Sequence, residues 1–80
     1  MEERTAEQKL QDYTAMGHSV ALITDVIAGN YMTDEDAADR QSCVDRNVEH
    51  LELMRAKDDW GNEDFAATDS AINAGNDYAA

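Results

Sequence analysis

Eighteen carboxylates, two histidines and one cysteine are the residues of this 80-residue chain most able to do chemistry. Acid-rich helices suggest metal first. Di-iron bundles use Glu-x-x-His pairs on facing helices. Here Asn47 stands three residues before His50 and Ala15 three before His18, so the motif is missing. A calcium loop opening at Asp34 would have Asp36 at its third position. It would also put Ala38 fifth, Asp39 at the sixth position where glycine is wanted, and Asp45 rather than Glu twelfth. With one cysteine and two separated histidines, a structural zinc site within one chain is not expected.

Nucleophilic catalysis needs an activated Ser or Cys beside a base. Cys43 and His50 lie seven residues apart, about 10 Å along a straight helix and too far for direct proton transfer. Cys43 reads better as a small buried hydrophobe, His50 as a residue at the edge of a core, and His18 as part of a turn after Gly17. Adjacent acids such as Asp58-Asp59 and Glu63-Asp64 do not face a common point on a helix and read as solvated helix ends. The four glycines stand alone, so no phosphate-binding loop is formed. The expectation is a protein without catalytic residues, metal or cofactor.

The elements that would carry these residues are helical. There is no proline, and strand-like alternation is nearly absent. Four helices are marked by their punctuation. The first spans residues 6–16: Thr5 and Gln8 match a capping box, Ala6, Leu10 and Tyr13 share a face, and Gly17 ends it. The second spans residues 20–28, with Ser19 as cap, Val20, Ile23 and Ile27 as a stripe flanked by Val26, and Gly29-Asn30 as terminator. The third and longest spans residues 34–58. Thr33 caps it, and Ala37, Gln41, Val44, Val48 and Leu51 form one face. The fourth spans residues 63–74, capped by Asn62, thinly apolar through Phe65, Ala71 and Ile72, and ended by Gly75. Residues 76–80 are either a loose tail or docked through Tyr78.

The expected fold is therefore all-α: one domain over residues 1–80, a small bundle of three short helices and one long one. Leu, Val, Ile and Phe supply only 12 residues, against a formal net charge of −12. A core that small gives marginal stability, so the bundle is expected to draw on a partner or on copies of itself. Acids and bases are spread evenly, nine and three in each half. That sign argues against direct contact with nucleic acid or an anionic membrane. One cysteine and no signal peptide fit a reducing compartment. The longest apolar run, residues 20–27, is too short to span a bilayer.

Large groups not all used by these seams are Tyr13, Tyr31, Met32, Leu53, Met54, Trp60 and Tyr78. Such residues either cover a small core or anchor a partner. Leu53, Trp60, Tyr31 and Tyr78 are the candidate partner-binding residues. Leu53 lies opposite the long seam, and Trp60 sits at a helix junction. Two helix starts look alike, Tyr31-Met32-Thr33-Asp34 and Trp60-Gly61-Asn62-Glu63, either as a degenerate repeat or because capping chemistry is limited.

The stretch Arg46-Asn47-Val48-Glu49-His50-Leu51-Glu52-Leu53-Met54-Arg55-Ala56-Lys57-Asp58-Asp59-Trp60, with Glu63-Asp64 and Ala71-Ile72 after it and Asp12-Tyr13-Thr14-Ala15-Met16-Gly17-His18-Ser19 before it, resembles small acidic proteins of tailed bacteriophages, particularly those of marine cyanobacteria. The resemblance covers most of the chain but includes no motif of assigned chemistry, so no active-site residue is carried over. It implies a virion protein, made in the host cytoplasm, that decorates the capsid or cements the portal or tail. Its partners would be phage structural proteins or further copies of the chain. The alternative is a regulator made during infection, whose acids imitate nucleic acid and occupy a basic host or phage protein. A third is a helical adaptor of the toxin-antitoxin or chaperone type.

Overall fold

The chain begins its first helix where a backbone donor problem is solved locally. The computed structural model of the protein describes residues 3–80. Thr5 is extended, and its hydroxyl accepts from the Gln8 amide at 3.1 Å. The Gln8 side chain accepts from the Thr5 amide at 2.8 Å, which completes the capping box. From there α1 runs over Ala6–Ala28. It ends at Gly29 in the left-handed conformation (φ 78°), with the Gly29 amide donating to Val26 O and that of Asn30 to Asp25 O. This pair of bonds is the Schellman arrangement, which favours glycine at that position.

Helix α2 covers Ala37–Arg55 and α3 covers Ala66–Asp77. The described residues therefore form an all-helical fold of three helices rather than four, with no strand. The first two expected helices are one. Gly17 does not end a helix, because Met16, Ser19, Ile23 and Val26 form a single buried stripe that runs past it. Burying that stripe outweighs the roughly 1 kcal/mol that glycine costs inside a helix. Continuity also sets the phase. Leu10 is 65% exposed and Ile27 40%, while Met16 and Val26, outside the expected stripes, lie in the core. His18 is an exposed helical residue, not part of a turn.

The long helix is shorter than expected at both ends. Asp36, not Thr33, caps α2 by accepting from the Asp39 amide at 2.9 Å. Residues before it are taken up by a turn in which Met32 has a positive φ of 58° and its carbonyl accepts from the Glu35 amide. At the far end the helix stops at Arg55, where Met54 O accepts from both the Lys57 amide at 3.2 Å and the Trp60 indole N–H at 2.8 Å. Of the expected face, Val44, Val48 and Leu51 are buried and Gln41 is half-buried, while Ala37 is exposed.

Helix α3 starts at Ala66, not residue 63. Residues 63–65 are irregular before it, and the Asp64 carboxylate accepts from the Ala66 amide at 2.9 Å. Its buried face is small: Thr68, Ala71 and Gly75. Gly75 is not a terminator. A methyl group there would run into Val48 and touch Val44 and Ile23, so glycine lets α3 sit close against both other helices. The chain beyond is tied down. Tyr78 packs on the core, and the Gln41 side chain donates to Tyr78 O at 3.2 Å and accepts from the Ala80 amide at 2.9 Å.

Each helix contacts the other two. Met16, Ile23, Val44 and Leu51 are the most deeply buried large side chains. No helix among the described residues is long and apolar enough to cross a membrane.

Candidate interaction surface

Two of the four expected partner-binding residues are exposed and two are built into the scaffold. Leu53 is 62% exposed near the end of α2, and Tyr31 is 48% exposed in the α1–α2 connection. They stand at opposite ends of α2, whose residues 37 to 53 alone span about 24 Å. Trp60 and Tyr78 are half-buried against the core. The structure does not gather the four into one patch.

Trp60 belongs to a packed aromatic group. Its ring meets Phe65 edge-on at 5.4 Å between centroids and Tyr13 at 6.3 Å, and Tyr13 meets Phe65 at 6.0 Å. Arg4 lies 4.3 Å over Trp60, and Arg55 lies 4.3 Å over Phe65. These are favourable edge-to-face and cation–π geometries. They bind the 56–65 connection to the start of α1. The Tyr13 hydroxyl donates to Asp64 O at 2.6 Å and the Lys9 ammonium to Asp59 O at 2.9 Å.

Arg4 is the hub of this end. Its guanidinium pairs with both oxygens of Asp59 and, at 2.7 Å, with Asp12. Its backbone N–H also donates to Asp59 at 3.1 Å. The hydrogen bonds from Arg4 hold the Asp59 carboxyl well below the usual carboxylate range. Those to Asp59 and then Asp12 hold the Arg4 guanidinium above its ordinary value. Sequence reading missed this clip because Arg4 and Asp59 are 55 residues apart and each looks like any surface charge.

Ser19 and His50 are a second pair that the sequence did not bring together. The buried Ser19 hydroxyl lies 2.8 Å from Nδ1 of the half-buried His50. The contact joins α1 to α2 and satisfies a polar group in the core. It places a hydroxyl beside a base, the first requirement of an activated nucleophile, but Ser19 is only 5% exposed. No His, Cys, Asp and Glu residues among those described cluster in a way that would hold a metal ion.

A wide concave surface lies at the other end of the bundle. Leu22 of α1, Tyr31 and Met32 of the connection, and Cys43 of α2 line an open groove of about 460 Å³. Glu35, Asp39, Ser42, Arg46 and Asn47 complete its lips. Leu22, Met32 and Cys43 are half-buried, and Met32 and Cys43 also pack against the core. Asn47 is fixed by donating to Cys43 O at 2.7 Å. No protein-family model, curated protein or solved structure matches this chain.

Proposed function

We propose that the protein is a structural or assembly component of a phage particle, attached to the capsid, portal or tail, and that it acts by binding other polypeptides without catalysis. The observation that carries the binding reading is the groove, where Leu22, Tyr31, Met32 and Cys43 bring apolar surface together on an otherwise acidic protein. Single exposed residues such as Leu10 and Leu53 are ordinary on a protein surface; a concave site where several part-exposed apolar groups meet polar ones is the informative feature. The phage part of the reading rests on the resemblance carried by residues 46–60 and their neighbours. A partner, or copies of the chain, would also add stability to so small a bundle. In this reading the protein resides in the virion after synthesis in the host cytoplasm.

A second reading is supported by the charge. The chain has 18 acids against six bases, and among the described residues only three ion pairs form. An acidic surface left so largely unneutralised suits a regulator that occupies a basic protein. Mass spectrometry of purified particles separates the two. Many copies per particle are expected under the first reading. Absence from particles, with capture of a basic protein that salt abolishes steeply, would replace it with the second.

A further inference from the structure

Resting on the binding reading above, we propose that the groove between α1 and α2 takes an extended protein segment in which a Lys or Arg is followed two residues later by an apolar side chain. The chemistry of the lining orders the two. Asp39, Cys43 and Arg46 succeed one another on one face of α2, about one turn apart. Glu35 lies beside the first of them, and Asp34 and Asp36 add exposed negative charge at the same end. Neither Glu35 nor Asp39 has an ion-pair partner among the described residues. Arg40, the nearest base in sequence, spends its guanidinium on the backbone carbonyl of Glu35 instead. Arg40 leaves both carboxylates unpaired among the described residues, so this end of the groove attracts a further cation.

Past the acids, the floor becomes apolar at Cys43, Met32 and Leu22, with the half-exposed Tyr31 ring at the edge. Met32 is held with a positive φ, a conformation rare for a long side chain. Arg46 stands at the far end, without a carboxylate partner among the described residues. It repels a second cation there and offers donors to a carbonyl or carboxylate of the bound segment. A basic residue is therefore seated over Glu35 and Asp39, and the apolar residue two positions on, which shares its face in an extended segment, over Cys43 and Met32. The groove is open along one side, which suits an extended segment better than an enclosed small molecule.

The full chain, labelled with ¹⁵N, would be titrated with the capped peptide Gly-Lys-Thr-Leu-Thr-Gly. Controls are Gly-Lys-Thr-Ser-Thr-Gly and Gly-Glu-Thr-Leu-Thr-Gly. Amide shifts confined to Leu22, the 31–35 turn and residues 39–47 are expected, with about tenfold weaker binding of either control. The doubly substituted variant Glu35→Lys/Asp39→Lys changes exposed positions only and should keep its helical circular dichroism while losing at least about tenfold in affinity. Equal response to the Ser peptide, shifts scattered over the acidic surface, or no response to any peptide would overturn the proposal. If the chain is found in purified particles but the peptide does not seat, the groove inference alone fails. If the peptide seats but the chain is absent from particles, the virion reading alone fails.

Discussion

Asp59 shows how one side chain can tie two distant stretches of chain and make the fold sensitive to acid. It accepts three hydrogen bonds from Arg4 while its backbone carbonyl accepts from Lys9. Because its folded pKa is depressed, it contributes stability above its ordinary value of 3.8 and loses that contribution as pH falls below it. Arg4 remains charged throughout, so Asp59 is the partner that titrates. Asp59→Asn removes the titration. The variant should be less stable than wild type at neutral pH, and the gap should narrow below pH 3.8, closing only as pH falls through the lower folded value. Urea denaturation of both proteins at neutral and strongly acid pH measures the difference. A gap that stays constant across that range would show that the carboxylate's charge contributes nothing. None of this was legible in the sequence, where residue 59 is one of two adjacent acids at the expected end of a helix. Pairing at this distance depends on how the 56–65 connection folds back over α1.

At the scale of the element, the legible features were those whose cause is local. The Thr5–Gln8 capping box, the Gly29 terminator and the Val44, Val48, Leu51 face depend on neighbours a few residues away, and each stands in the structure. Glycine was the ambiguous signal. Gly29 ends a helix, Gly17 lies inside one, and Gly75 is a point of close helix approach. Only tertiary packing separates these uses. Gly17 offers a clean test, since a methyl group there would meet nothing within 4 Å and the backbone is already helical. Gly17→Ala should therefore stabilise the protein by about 0.5–1 kcal/mol, seen as a higher midpoint in thermal or urea melts. A lower midpoint would mean that α1 bends or breaks at this position. The candidate surface was less legible than the helices. Tyr31 was singled out and does lie on the groove, but its companions Leu22, Met32 and Cys43 come from three separate stretches that only the pairing of α1 with α2 brings together.

For the whole molecule the dominant quantity is charge. The described chain measures 41 × 20 × 19 Å, with a radius of gyration of 13.5 Å. An unfolded chain of this length has a radius near 28 Å. Folding thus draws a net charge of −12 into a much smaller volume. Two like charges 20 Å apart in water repel by only about 0.2 kcal/mol, but the sum over many pairs exceeds what a few surface ion pairs return. The Arg55–Asp69 pair is well exposed, and such pairs contribute roughly 0.2–1 kcal/mol each. Salt weakens both terms. The repulsion, acting at longer range, is lost first as the screening length falls from about 30 Å at 10 mM to about 10 Å at 0.1 M. Raising sodium chloride from about 10 mM to about 0.5 M should therefore stabilise the bundle, by on the order of 1 kcal/mol or about 5 °C in melting temperature. The same field accelerates encounter with a basic partner at low salt, so conditions that favour the isolated fold slow its capture. A melting temperature that instead falls across this salt range would mean that the Arg4 clip and the Arg55–Asp69 pair outweigh the repulsion, and that the acidic surface costs the fold little.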